Sequence, residues 1–242
     1  MSSLAPSKSL DRRRWARRIG QLLLGLFLYG LGISLMVRAG IGVAPWDVLT
    51  QGIAHRTGLP FGLITNIVGV LVLLLWIPLR ERPGVGTVAN VLLIGPSAQL
   101  GLALLPQQTV PALQALVFAG GLALVAVATG LYIGARLGSG PRDGLMTGLH
   151  RRTGWRIWIV RTGIEIVVVI IGTLLGGQLG IGTVAFALLI GPMVGVTLPL
   201  FRVPGESPVA ATNGVTDAVE TDAVDPLAEH SVGAAPGEEV IP

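Results

Sequence analysis

The chain contains an internal repeat, and this repeat constrains the fold more than any other feature of the sequence. The segment GVGTVANVLLIGP begins at Gly84 and GIGTVAFALLIGP begins at Gly180, so the blocks lie 96 positions apart and match at 10 of 13 positions. At the same offset, DVLTQGIAHRTG from Asp47 aligns with DGLMTGLHRRTG from Asp143. Similarity at a fixed offset indicates an architecture that is built twice.

The composition places both copies in a membrane. Hydrophobic residues make up 51% of the chain and charged residues only 12%, about half the charged share of a soluble domain. Six apolar segments have the length of about 20 residues that a membrane crossing needs. They cover approximately 19–37, 61–79, 84–105, 111–135, 157–176 and 181–201. The sequence therefore predicts an all-α membrane protein with six transmembrane helices.

The segments divide the chain into four parts. Repeat 1 occupies 19–105 and repeat 2 occupies 106–201, between a basic N-terminus at 1–18 and a tail at 202–242. After Arg202 the tail has eight acidic residues and no Lys or Arg, and it lacks helical periodicity. These features predict a disordered cytoplasmic tail.

The positions of the basic residues predict the orientation. Arginines cluster at 12–18, 80–82 and 136–156, whereas the loops 106–112 and 176–180 carry no charge. Basic loops stay on the cytoplasmic side, so six crossings put both termini on the cytoplasmic side of the cell membrane. Three crossings per copy then give two inverted three-helix repeats, an architecture typical of transporters.

Tryptophan positions agree with this orientation. Trp15, Trp76, Trp155 and Trp158 all fall at the cytoplasmic ends of the segments. We expect them at the membrane interface, where an indole ring is favoured.

Each copy also contains a short helix between its first two crossings. About ten residues follow a proline and end at Gly58 or Gly154, which suits a helix start and a helix stop. Such a helix is about 15 Å long, so it is either interfacial or re-entrant. Asp47 and Asp143 lie near its N-terminus, where the helix dipole favours negative charge.

Two interpretations of these aspartates stay open. Asp47 and Asp143 could form symmetric gates or ion sites with Arg38 and Arg136, which precede them in the two copies. Alternatively, the aspartates only cap helices and the arginines extend to the membrane surface.

Pro96 and Pro192 lie near the middle of matching segments. A mid-helix proline frees a backbone carbonyl, and matched breaks in inverted repeats indicate a midplane site. Asn90 is a polar candidate for its lining, although Phe186 replaces it in the second copy. The alternative is that these prolines are simply tolerated in membrane helices.

Arg161 and Glu165 lie within the fifth apolar segment, four residues apart and therefore on one helix face. A charge inside a membrane is by default a candidate functional residue, and Glu165 could couple transport to protons. The alternative is a structural ion pair.

Small residues recur at every fourth position in two places, Gly130-Gly134-Gly138 and Gly191-Gly195. This spacing allows close helix packing. Two interpretations of this spacing stay open: helix packing inside one bundle, and contact between the subunits of a homodimer.

Several classes of function find no support. The chain has no cysteine, its three histidines are scattered, and it lacks nucleotide-binding, metalloprotease and nucleophile motifs. We expect no enzyme activity, no cofactor and no metal. The basic residues follow membrane topology, so we expect no nucleic-acid binding.

The blocks RAGIGVAPWDVLTQGIA and GTVAN…LLIGP resemble those of the YczE-like family of bacterial integral membrane proteins, over residues 19–201. The resemblance implies a multi-spanning inner-membrane protein and assigns no catalytic or ligand-binding residues.

The function we expect is permease-like movement of a small solute across the lipid bilayer. The alternative is a membrane scaffold or regulator that binds a partner complex through its acidic tail. A transporter would depend on Glu165 and Pro96 and tolerate loss of the tail, whereas a scaffold would show the reverse.

Overall fold

The computed structural model describes residues 8–203, and the regular secondary structure in that range is entirely α-helical. The helices are α1 Lys8–Ala39, α2 Pro45–Thr57, α3 Phe61–Leu79, α4 Val85–Leu104, α5 Pro111–Gly134, α6 Pro141–Thr153, α7 Ile157–Leu174 and α8 Ile181–Phe201. All except α2 and α6 are long and apolar enough to cross a membrane. The predicted helical class and the six apolar spans are confirmed. The predicted disorder of the tail concerns residues outside the described range.

The short helices α2 and α6 have 13 residues each, slightly more than predicted. Each begins with a proline and ends before a left-handed glycine, Gly58 or Gly154, with φ 72° in both cases. At about 1.5 Å per residue they are about 20 Å long. Their first turns are largely buried and their last turns face outward.

The centre of the bundle is the pair α1 and α5. Gly25 faces Tyr132, and seven residues further along α1 Gly32 faces Val125, so the two helices run antiparallel. Around this pair, α4 packs on α1 and α8 packs on α5, while α2 packs on α7 and α6 packs on α3. Each of these four contacts therefore has an equivalent in the other copy.

The GTVA block of each copy contacts the turn that precedes the short helix of the other copy. The N–H of Gly86 in α4 donates to the carbonyl of Leu137, at 2.8 Å, and the N–H of Gly182 in α8 donates to the carbonyl of Ile41, at 2.9 Å. Gly86 and Gly182 are 96 positions apart, and so are Ile41 and Leu137, so the two bonds are equivalent under the repeat. The turn of one copy is thus held by the GTVA helix of the other.

Glycine is required in these turns. Gly42 and Gly138 have φ values of 125° and 137°, which side-chain-bearing residues rarely adopt. A Cβ at Gly42 would lie 2.7 Å from the backbone nitrogen of Thr183, and one at Gly138 would lie 2.8 Å from Oγ1 of Thr87. Backbone geometry and close packing both exclude a larger residue.

The equivalence of the copies fails at one place. In the first copy, Gly62 and Gly95 bring α3 and α4 into close backbone contact. In the second copy, α7 and α8 do not pack along their lengths, and Gly191 and Gly195 face open space. Gly130 and Gly134, in contrast, pack α5 against α8 through Thr197 and Phe201, which is the bundle-packing use predicted for small residues.

Candidate functional site

The two short helices begin next to each other inside the bundle. Nη2 of Arg142, on α6, lies 3.7 Å from Oδ1 of Asp47, on α2. Asp47 is 1% exposed, and its Oδ1 accepts no hydrogen bond within the described chain. The guanidinium of Arg142 also lies over the ring of Trp46, 5.1 Å from its centre. An ion pair and a cation–π contact therefore join the two helix N-termini.

Asp143 connects this pair to the central helices. The hydroxyl of Tyr132 donates to Oδ2 of Asp143 at 3.1 Å, and the rings of Tyr132 and Tyr29 meet edge to face at 6.0 Å. Tyr29 lies near the middle of the membrane-crossing part of α1, Arg14–Ala39. We call Tyr29, Asp47, Tyr132, Arg142 and Asp143 the central cluster.

The surroundings disfavour negative charge on both aspartates, which lie on short helices outside the six spans. Burial raises the pKa of Asp47, and the guanidinium of Arg142 opposes this shift. Burial also raises the pKa of Asp143, against the hydrogen bond from Tyr132 and the charges of Arg161 and Arg142. Both carboxyls therefore hold a proton more tightly than they would in water.

A cavity of about 70 Å³ adjoins the central cluster, between α1, α3, α4, α5 and the start of α6. Its polar lining consists of Tyr29, Thr65, Asn90, Tyr132, Arg142 and Asp143. The rest of the wall is mostly apolar, with Val68, Val72 and Ile94 among its residues. The cavity combines apolar walls with convergent polar groups, as ligand-binding sites do, but it is smaller than the roughly 300 Å³ at which such sites begin.

A larger cleft of about 950 Å³ opens beyond the cavity, between the end of α3 and α6. Its charged lining consists of Arg80, Glu81, Arg82, Arg151 and Arg152, and we call it the basic cleft. Arg151 forms an ion pair with Glu81, and Arg152 donates to the carbonyl of Pro78 at 2.7 Å.

Trp76 separates the cavity from the basic cleft. Its indole lines the cleft, is 3% exposed, and donates from Nε1 to the carbonyl of Pro141, which lines the cavity, at 2.9 Å. Trp15, Trp155 and Trp158 are exposed, as the interface prediction requires. The prediction is wrong for Trp76, because its ring is packed against α6 inside the protein.

The structure places Asp47 beside Arg142, and it places Asn90 and Asp143 in the wall of the cavity. Neither helix has a side-chain hydrogen bond at its N-cap residue, because the N-caps are Ala44 and Gly140 and the aspartates lie three residues later. N-capping of the usual kind therefore does not explain Asp47.

The pair on α7 lies outside the cavity wall. Nε of Arg161 is 3.1 Å from Oε1 of Glu165, and the side chains are 38% and 26% exposed. Arg161 nevertheless acts on the cluster, because its charge favours ionisation of Asp143. Glu165 contacts Arg161, which agrees with the structural alternative for this pair.

Arg38 and Arg136 are not equivalent, so the expectation of a symmetric arginine pair is wrong. Arg38 is in the last turn of α1 and donates to the carbonyl of Leu102 in α4. Arg136 follows α5 with φ 53°, and at the repeat offset its equivalent is Gly40, with φ 74°. Aligning the two copies on Arg38 and Arg136 displaced the alignment by two residues, because the repeat offset pairs Arg136 with Gly40. Neither arginine lines the cavity.

Pro96 and Pro192 are also absent from the cavity wall. Both helices continue through the proline, and both rings are on the exposed side of the bundle. The cavity uses the opposite face of α4, with Asn90, Val91 and Ile94. Here the prolines face outward, as the tolerance alternative requires.

Four contributors to the site were missed from the sequence: Tyr29, Thr65, Tyr132 and Arg142. The tyrosines carried a usable signal, since they are the only two in the chain and both lie in apolar segments. Arg142 precedes Asp143 directly, but counting it with the cytoplasmic basic residues concealed its position inside the bundle. Thr65 occupies the position equivalent to Arg161 and gave no signal.

The fold and the cluster define a multi-spanning α-helical membrane protein with a polar interior. The described residues contain no group of three acidic or histidine side chains that could hold a metal. Residues 16–199 match the model of a family of unknown function, DUF6198. The chain belongs to this family, and the resemblance to YczE-like proteins is confirmed.

Relatives of similar length support this assignment. An uncharacterized protein of Haemophilus influenzae is 39% identical over 178 residues, 74% of this chain and 82% of the relative. The uncharacterized membrane protein YczE of Bacillus subtilis is 32% identical over 177 residues, 72% of this chain and 82% of the relative. The uncharacterized protein YyaS of Bacillus subtilis is 26% identical over 181 residues, 73% of this chain and 90% of the relative. No solved structure matches this chain.

Proposed function

We propose that this protein is a permease that moves a small polar solute across the bacterial cytoplasmic membrane. The observation that carries the proposal is the central cluster, which holds Asp47, Arg142 and Asp143 inside an apolar bundle and next to a cavity. Charges in a membrane interior are costly and mark substrate or ion pathways. The proposed activity is binding and translocation, without covalent chemistry.

Contacts of the kind expected in an inverted repeat support this proposal. The reciprocal bonds from Gly86 to Leu137 and from Gly182 to Ile41 are what a two-fold axis in the membrane plane would produce. The antiparallel central helices α1 and α5 agree with it. We propose that the copies have opposite orientations and that both termini are cytoplasmic, since the arginine-rich loops would then share one side.

In this arrangement α2 and α6 are re-entrant helices that enter from opposite sides. Their buried first turns and exposed last turns fit that role. Two discontinuous helices that meet near the midplane are a common way to build a transport site.

The unequal packing of the two copies fits alternating access. The helices α3 and α4 are closely packed, while the equivalent helices α7 and α8 are apart. In inverted-repeat transporters, transport proceeds when the two halves exchange such conformations. We propose that closing α7 onto α8 accompanies the opening of α3 from α4.

A ligand screen tests the function. The purified protein is heated with amino acids, sugars, nucleobases, short peptides and lipids, because a bound ligand raises the melting temperature. We expect at least one class to stabilise the wild type, and Asp143→Asn to reduce that shift because the ligand loses a partner. Glu81→Gln, which alters a carboxylate of the basic cleft, should keep it.

The screen also addresses the scaffold alternative. If no class stabilises the protein, or if Asp143→Asn and Glu81→Gln reduce the shift equally, the central site is not the binding site. A scaffold would instead lose its cellular role when residues 203–242 are deleted, whereas ligand stabilisation by the permease should survive that deletion.

The proposal includes two partners besides the solute. The exposed apolar side chains of the six long helices fit a lipid bilayer. We also propose a homodimer, with Gly191 and Gly195 of α8 as its contact in the conformation in which α7 is apart from α8, because both glycines face outward and allow close approach.

A further inference from the structure

The basic cleft has an excess of positive charge. Four arginines and one glutamate line it. Arg151 is paired with Glu81, and Arg80 and Arg82 have no acidic partner among the described side chains, residues 14–203. The cleft is concave and about 950 Å³ in volume, so an anionic segment could lie within it and contact several guanidinium groups at once.

The acidic C-terminal segment begins at the same end of the bundle. The N–H of Val203 donates to the carbonyl of Gly134, and four residues after Gly134 the chain reaches Gly138, in the wall of the cleft. Four residue steps span at most about 15 Å. The segment from 204 to 242 is long enough to cover that distance several times.

The charges of the segment and the cleft are complementary. Residues 204–242 carry eight Asp and Glu side chains and no Lys or Arg. Five of the eight lie between 217 and 229, close enough in sequence to face one cleft together. Each exposed ion pair is weak, but several pairs at one place add up.

We propose that the acidic segment 204–242 binds in the basic cleft of its own chain. The unbalanced arginines of the cleft and the position of Val203 at the same end of the bundle support this occupant. This contact does not depend on whether the protein transports a solute.

Cross-linking between single cysteines tests the contact, since the chain contains no native cysteine. One cysteine replaces Thr221, between Glu220 and Asp222, and the other replaces Thr147 in the cleft wall. The full-length protein in nanodiscs of zwitterionic lipid is treated with a short bismaleimide. We expect a Thr221→Cys/Thr147→Cys cross-link within one chain.

Two reference pairs give the result its specificity. Ala16→Cys places a cysteine among the arginines at the start of α1. These arginines are also near the end of α8, because Gln21 donates to the carbonyl of Phe201. Gln108→Cys lies at the opposite end, where its N–H donates to the carbonyl of Arg38 at the end of α1. We expect about tenfold less cross-linking to Ala16→Cys, an amount that two or three ion pairs can supply, and none to Gln108→Cys.

Charge neutralisation completes the test. With the eight acidic residues changed to Asn or Gln, cross-linking to Thr147→Cys should fall about tenfold, and high salt should have a similar effect. Equal cross-linking to Ala16→Cys, or cross-linking unaffected by neutralisation, overturns the proposal. So does loss of the cross-link in nanodiscs of anionic lipid, because lipid headgroups would then be the occupants of the cleft.

Discussion

Arg142 and Asp47 come from different copies of the repeat and form an ion pair at 3.7 Å inside the bundle. Asp47 is almost completely buried, so removing its partner leaves an uncompensated carboxylate. We predict that Arg142→Gln destabilises the protein by about 2–3 kcal/mol. Adding Asp47→Asn should restore much of the loss. Thermal unfolding in detergent measures both effects.

A pair at the surface provides the control for this prediction. Arg151→Gln breaks the ion pair with Glu81, but Arg151 is 60% exposed, and such pairs contribute less than about 1 kcal/mol. A loss as small for Arg142→Gln as for Arg151→Gln would show that Asp47 is adequately solvated.

The turn glycines give a prediction for each copy. Gly42→Ala and Gly138→Ala should each destabilise the protein by about 1–3 kcal/mol, because both positions combine positive φ with close contacts. Gly120→Ala is the matched control, since a Cβ there meets no atom within 4 Å. If all three variants had the same melting temperature, the contacts between the turns and the GTVA helices would not be as tight as described.

Much of this arrangement is readable from the sequence, for physical reasons. Apolar runs of about 20 residues identify the six spans, and the proline before and the glycine after α2 and α6 identify the short helices. These are local signals. Asp47 and Asp143 were found because the offset matches them; Asp47 lies next to Arg142, the residue that precedes Asp143.

The sequence could not show how each helix is rotated about its axis or which residues of the two copies contact each other. Pro96 faces outward because Gly95 and Ser97, on either side of it, face the protein. Arg38 and Arg136 are the same residue type before the same motif. The structural equivalent of Arg136 is Gly40, because both residues have a positive φ. Arg142 was read as a surface residue because charge patterns do not show that a loop folds into the bundle.

Trp76 should act as the barrier between the basic cleft and the cavity. We predict that Trp76→Ala makes a cysteine at Asn90, in the cavity wall, accessible to a membrane-impermeant maleimide added at the cleft side. Trp76→Phe keeps most of the ring volume and should leave the cysteine protected. Rapid labelling of Asn90→Cys with Trp76 intact would show that another route reaches the cavity.

The aspartates predict a pH dependence of stability. Burial raises the folded-state pKa of Asp143 above its unfolded value, so the folded state binds the proton more tightly. Stability should therefore increase as the pH falls through the folded pKa, and it should level off below the unfolded pKa. We predict that the melting temperature of the wild type rises as the pH falls through the folded-state pKa.

The substitution Asp143→Asn should flatten this pH profile, and adding Asp47→Asn should flatten it further because burial also raises the pKa of Asp47. Identical slopes for the wild type and the double variant would assign the pH dependence to other groups.

The measurement that tests the account most directly is the sidedness of the two short helices. Thr57 and Thr153 end α2 and α6, are exposed, and occupy equivalent positions in the two copies. Each is replaced by cysteine in the cysteine-free chain and labelled in intact cells with an impermeant maleimide. An inverted repeat predicts that Thr57→Cys is labelled from outside and Thr153→Cys only after the membrane is permeabilised. Labelling of both cysteines from the same side would contradict the inverted repeat and the shared central site.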